Sequence, residues 1–346
     1  MSSVLAVIDQ SVFIPFAISF FITILLGPKV IPFLHKLKFG QTVRDEGPES
    51  HKAKTGTPTM GGLIFLTGVL VASLVYVGRF PATLPVMLLT FGFGIVGFLD
   101  DYIKVVKKRS MGLRAWQKMG LQILITTLFA LYITKVLGLS LAMKIPFAQG
   151  VYLDLGWFNI PLIYLVVIGT DTGSNFTDGV DGLASSVTAV MAVFFAVASI
   201  ALSGGVTPVS MAFIGGLLGF LVFNAHPAKV FMGDTGALAL GGFVAAVAYI
   251  MQLQLFLVII GIIYVVQNRE VFLPTKESYD RYLISSVHST PGKTNAIILL
   301  LAISYLAPQP YRYSLLVSAE YTLVTVLLVH PIEYTPSILL KYSLPP

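Results

Sequence analysis

The chain has 346 residues, 56% of them hydrophobic and only 11% charged, with no cysteine and a formal net charge of +6. A soluble globular domain carries about 25% charged residues, so this composition excludes one and indicates a polytopic membrane protein. Disulfide and thiol chemistry are excluded along with the cysteines. The apolar runs reach roughly the 20 residues that a spanning helix needs, and they lack the short alternating segments of a barrel. The expected fold is therefore all-α, an integral membrane helical bundle.

In chain order the predicted spans are 11–34, 61–78, 82–99, 117–138, 158–172, 184–203, 208–223, 237–251 and 253–266, and the tail offers 294–308 and 313–330. No Lys or Arg precedes Lys29, so the first run lacks the basic region of a cleaved signal peptide and is expected to remain as a helix. The segment 140–155 alternates around Gln149-Gly150 and is expected to form a small extracytoplasmic hairpin.

Cations fall in alternate connections. Lys36, Lys38, Arg44, Lys52 and Lys54 precede the second span, and Lys104, Lys107, Lys108, Arg109, Arg114 and Lys118 follow the third. Lys229 lies in 224–236, and Arg269, Lys276, Arg281 and Lys293 lie in 267–293. The connections between them hold almost none. Cation-rich connections face the cytoplasm, which places the N-terminus outside and the stretch 170–183 inside. The positive charge thus follows topology and does not indicate a nucleic-acid partner.

Three polar clusters then share the cytoplasmic side. Asp100 and Asp101 end the third span, and Lys104 and Lys108 follow at four-residue steps on a continued helix. A carboxylate pair followed by a cationic stripe suits a Mg²⁺-bound diphosphate, because oxygen ligands hold the hard cation and ammonium groups meet the phosphates. The stretch 175–182 supplies Asn175, Asp178 and Asp181, the two acids sharing a face if the stretch is helical. Asp234 opens the span after 224–236, at a helix N-terminus whose N–H groups could meet phosphate. Lys54 and Thr59, at the entry to the second span, are further candidate phosphate contacts, and His226 reads as structural. Acids gathered this closely repel one another, and a divalent cation removes the conflict. Simpler readings exist for each part alone: Lys107, Lys108 and Arg109 as topology anchors, 175–182 as a capped, glycine-rich turn, Asp234 as an N-cap, and the loop with Lys54 and Thr59 as a plain connection.

Four segments, 44–62, 97–104, 175–184 and 224–242, resemble the phospho-N-acetylmuramoyl-pentapeptide transferase family, among the polyprenyl-phosphate N-acetylhexosamine-1-phosphate transferases. The most specific runs are His51-x-x-Lys54-x-Gly-Thr-Pro-Thr-Met-Gly-Gly and Asn-Phe-Thr-Asp-Gly-Val-Asp-Gly from Asn175. The first favours this family over its sisters that use UDP-N-acetylglucosamine. The resemblance implies about ten transmembrane helices, both termini outside, in the bacterial inner (cytoplasmic) membrane with the active site facing the cytoplasm. It implies transfer of phospho-MurNAc-pentapeptide from UDP-MurNAc-pentapeptide to undecaprenyl phosphate, giving lipid I and UMP, with Mg²⁺ as cofactor. Asp100, Asp101 and Asp234 would be catalytic, with Asp100 the base towards the lipid phosphate and Asp234 the metal ligand. Lys54, Thr59, Lys104, Lys118, Asn175, Asp178, Asp181 and Asn224 would bind substrate. A homodimer is an assembly open to such a chain.

The resemblance runs through residues 1–266 and stops. The family's ninth span is followed by a cytoplasmic Met-Ala-Pro-x-His-His-His run. This chain reads Gln267-Asn268-Arg269-Glu270 onward, with His288 isolated. The expected organisation is a transferase core over 1–266 and an atypical part over 267–346. A frameshift in the source sequence or a divergent member would each produce that boundary, and the second leaves an alternative function: a catalytically impaired binding homologue. A transporter is the remaining reading, disfavoured because the acids gather at one interface and not along a midplane path.

Overall fold

The computed structural model describes residues 2–38, 56–107, 112–146, 148 and 150–257. Eight α-helices cover most of them: α1 (Ser2–Lys38), α2 (Gly62–Tyr76), α3 (Thr83–Val105), α4 (Ala115–Leu131), α5 (Asn159–Thr177), α6 (Leu183–Leu202), α7 (Thr207–Asn224) and α8 (Gly233–Ile250). Six of them, with α4 extended by a π-turn to Val136, are long and apolar enough to cross a membrane; α2 is a shorter apolar helix. The all-α expectation holds for the described residues. The expected spans at 294–308 and 313–330, and most of 253–266, lie outside them.

The short connection between α4 and α5 is the hairpin read from its alternation. Strands β1 (Met143–Lys144) and β2 (Tyr152–Leu153) pair antiparallel, Met143 opposite Leu153 and Lys144 opposite Tyr152.

Helix α8 is the axis of the bundle. Every residue from Thr235 to Ile250 is buried, as expected of a helix that is apolar all round. Helices α2, α3, α5 and α6 pack on it, α3 most extensively, while α1 and α7 pair along their lengths. Small residues set these approaches. A Cβ at Gly97 of α3 would run into the Asp234 carbonyl of α8, and one at Gly62 of α2 into Gly236. Hydrocarbon is as apolar as Leu, so close backbone packing between small residues is what holds such helices together. The outer helices α1 and α4 are the least covered, with 28% and 22% of their most apolar windows buried against 89% for α8.

Two spans differ from the hydropathy reading in a way that matters for chemistry. The third was expected to stop at residue 99, but α3 continues to Val105 and carries Asp100 and Asp101 inside its last turns, each only 3% exposed. The fifth was expected to stop at residue 172, but α5 runs on to Thr177. Hydropathy marks where apolar side chains end. A helix ends where its backbone ladder ends, and here neighbouring helices supply polar partners to the extra turns.

Candidate active site

The alternating helices bring the start of α2, the end of α3, the start of α4, the end of α5 and the start of α8 to one end of the bundle. There one carboxylate oxygen each of Asp100, Asp101 and Asp234 lies within 4.8 Å of the others. Two lysines close the cluster. Lys104 Nζ pairs with Asp100 and reaches Asp234 Oδ2 at 3.2 Å; Lys118 Nζ reaches the same Asp234 oxygen at 3.0 Å. Asn175 Nδ2 donates to Asp234 Oδ1 at 3.4 Å. Asp234 is thus the junction of α3, α4, α5 and α8.

The adjacent acids divide the work. Asp101 caps α8: it accepts from the Thr235 N–H at 2.9 Å, the Thr235 hydroxyl at 2.6 Å and, more weakly, the Asp234 N–H at 3.3 Å. A carboxylate there meets orphan N–H groups and the positive end of the helix dipole. This corrects the expectation that the N–H groups of α8 stand ready for a phosphate, since Asp101 takes those of residues 234 and 235. Asp100 turns the other way, to Lys104 and to the Leu113 N–H at 2.7 Å, which ties the α3–α4 connection to the cluster. Gly112 is needed beside it, because a Cβ there would strike the Asp100 carboxylate.

The loop before α8 is zipped to the loop before α2. Phe231 N–H donates to the Pro58 carbonyl, Gly61 N–H to the Phe231 carbonyl and Gly62 N–H to the Met232 carbonyl, at 2.8, 2.8 and 2.9 Å. This places Thr59 beside Gly233 and Asp101; Gly233 has a φ of 72°, and a Cβ on it would meet the Thr59 hydroxyl. Asn224, buried at the end of α7, donates to the Val230 carbonyl at 3.0 Å and accepts from the Ser185 hydroxyl at 3.1 Å, so it braces the same loop.

The 175–182 stretch is not one helix face. Asn175 is in the last turn of α5, Asp178 is its C-cap, and the chain turns through Gly182, at φ 74°, into α6. Asp178 and Asp181 therefore do not share a helical stripe. Asp181 looks across to the α7–α8 loop, where His226 Nδ1 lies 3.0 Å away and the Ala228 N–H donates at 3.2 Å. The three-acid cluster holds Asp100, Asp101 and Asp234; Asp178 and Asp181 stand in the adjacent turn. Lys54 and Lys108 lie outside the described residues. Thr235, Leu113 and Asp171 were not singled out from the sequence. Asp171 carried the one available signal, an acid one turn before Asn175 at the end of an apolar run.

Donor chemistry fits a hard divalent cation: three carboxylates from two helices converge, their charge met here by two ammonium groups.

Residues 83–252 match Glycosyl transferase family 4, and residues 54–66 match the phospho-N-acetylmuramoyl-pentapeptide-transferase signature 1. The phospho-N-acetylmuramoyl-pentapeptide-transferase of Desulforamulus reducens is 48% identical over 264 residues, covering 74% of this chain and 78% of the relative. That of Acetivibrio thermocellus is 47% identical over 269 residues, covering 77% and 81%. This chain belongs to the phospho-N-acetylmuramoyl-pentapeptide-transferase family. Membership and the apolar helices together make it a membrane-embedded transferase of peptidoglycan synthesis. The family signature covers the α2 entry loop that zips onto the loop carrying Met232, and the broader match spans α3 to α8.

Proposed function

We propose that the protein transfers phospho-MurNAc-pentapeptide from UDP-MurNAc-pentapeptide to undecaprenyl phosphate, giving lipid I and UMP, at the bundle end that carries the carboxylate cluster. The observation that carries this is the convergence of Asp100, Asp101 and Asp234 with Lys104 and Lys118. Phosphoryl transfer asks mainly for positioning and charge neutralisation, and acids with ammonium groups at one membrane face supply both. An oxygen of the lipid phosphate attacks the phosphorus bearing the sugar, and the bond from that phosphorus to the UMP oxygen breaks. Asp100 accepts the proton of a protonated lipid phosphate. Lys104 and Lys118 meet charge on the diphosphate. Asn175 orients Asp234, and Asp101 fixes the start of α8. Thr59, Asp178, Asp181 and Asn224 line or brace the nucleotide side, and the sequence motif assigns Lys54 to the same substrate. Mg²⁺, held by Asp234, would neutralise the diphosphate when bound.

An apolar groove of about 800 Å³ between α4 and α5 supports a lipid acceptor. Ile123, Leu165, Ile168 and Phe176 line it, and Phe176 is next to Asn175. The cation-rich connections support a cytoplasmic active site in the inner membrane, and residues 1–266 form the catalytic part.

The absence of the family's His-rich run after Val266 favours a second reading, a homologue that binds these substrates without turning them over. The purified full chain, given both substrates, is expected to release UMP with Mg²⁺ and to stop when EDTA is added. No release beside an active relative removes the transferase reading. Nucleotide binding without release, with turnover restored by a grafted His-rich segment, establishes the second.

A further inference from the structure

One buried acid is unused by this chemistry. Asp171 lies just past the apolar run of α5, in Gly169-Thr170-Asp171-Thr172, with 0% exposure. Its Oδ2 accepts a hydrogen bond from Nε2 of Gln122 on α4, which is also buried, while Oδ1 accepts none. A polar pair at that depth is costly in hydrocarbon surroundings, and neither helix needs it in order to span.

The pair's place in the helix lattice indicates its use. On α4, Lys118 and Gln122 are four residues apart and share a face; on α5, Asp171 and Asn175 do the same. The members at the bundle end both reach Asp234, Lys118 at 3.0 Å and Asn175 at 3.4 Å. One helical turn deeper, Gln122 and Asp171 bind each other. Helix α5 is keyed to α8 over the same length. Ser174 donates to the Ala237 carbonyl at 2.8 Å, and Gly241 lets the Asp171 backbone come so close that a Cβ would collide with its Cα. Farther along α4, the Thr127 hydroxyl lies 2.9 Å from the Tyr164 hydroxyl of α5, and Phe129 packs edge-on against Tyr249 of α8. But α4 is the least covered span, and next to Lys118 the Gln122–Asp171 bond is what holds it to α5. Apolar contacts do little to fix its rotation against lipid, and a slip of one residue turns a helix by about 100°. That slip would swing Lys118 away from Asp234.

We propose that Asp171 and Gln122 form a positioning clasp that sets the rotation and spacing of α4 on the α5–α8 pair, so that Lys118 and Asn175 meet at Asp234. Its kinetic consequence rests on the transferase reading; its structural consequence does not.

The test therefore has two arms on the full chain in detergent. The chain has no cysteine, so Lys118→Cys with Asn175→Cys can be bridged by a short bismaleimide without background. Adding Gln122→Leu or Asp171→Leu is expected to slow bridging roughly fivefold or more, the population shift from losing one buried hydrogen bond. Asp171→Asn, whose amide oxygen still accepts from Gln122, is expected to restore the rate. Unchanged bridging in a Leu variant that keeps a cooperative melt overturns the clasp; where Asp171→Leu does not fold, Gln122→Leu decides.

In the second arm Gln122→Leu lowers kcat for UMP release by about 10- to 100-fold, the scale of a misplaced catalytic group. It adds no further loss to Lys118→Met. Multiplying losses would mean independent sites and overturn the assignment to Lys118. Should the unaltered chain release no UMP, the transferase reading fails, and the bridging arm decides the clasp alone.

Discussion

Asp101→Ala should unlatch α8, and the cost follows from the bonds it breaks. Asp101 is 3% exposed and accepts two short hydrogen bonds, from the Thr235 N–H at 2.9 Å and the Thr235 hydroxyl at 2.6 Å. Thr235 is itself 1% exposed, so both donors would be stranded out of reach of water. Each stranded donor costs about 1–3 kcal/mol. Relief of a desolvated carboxylate offsets part of this, leaving about 2–4 kcal/mol. Asp100 accepts one backbone bond, from Leu113, and its ion pair is with a lysine more than a third exposed, so Asp100→Ala should cost only about 1 kcal/mol. Thermal unfolding of the full chain in one detergent should show Asp101→Ala lowered by roughly 3–6 °C and Asp100→Ala by about 1–2 °C. UMP release should fall in both. Equal melting temperatures, or an Asp101→Ala protein as stable as the unaltered chain, would refute the division of labour between the adjacent acids.

Three further outcomes are expected. Gly97→Ala places a methyl against the Asp234 carbonyl and should reduce both folded yield and turnover, whereas Gly120→Ala, which meets nothing within 4 Å on exposed α4, should keep activity and match or slightly exceed the original melting temperature. Lys118→Met removes the 3.0 Å ion pair with Asp234 and should lower kcat for UMP release by about 10²-fold, whereas Lys135→Met, at the other end of α4's span, should leave it unchanged. His226→Ala frees Asp181 from its exposed partner and should raise the KM for the UDP-linked substrate several-fold with little change in melting temperature.

Most of the described fold is written along the chain. Apolar runs of spanning length, cations confined to alternate connections and an alternating hairpin around Gly150 are local patterns, and local patterns survive without tertiary information. The identities of Asp100, Asp101 and Asp234 were equally legible, because an acid beside a spanning run has no packing reason to be there. What could not be read was direction. Asp101 points to the N-terminus of α8 and Asp100 to Lys104 and Leu113, though the two are neighbours with the same side chain. Asp178 and Asp181 sit in a turn because the ladder of α5 stops at Thr177, which periodicity cannot report across a glycine-rich stretch. Asp171, among the small polar residues that follow the run ending at Ile168, gave no signal of its use until its partner 49 positions earlier came into contact. Sequence determined which residues are expensive to bury and at which end of the bundle they gather. Tertiary structure alone decided which partner each one takes, because hydrogen-bond partners here lie on different helices, and the rotation of one helix against another is set only when they pack.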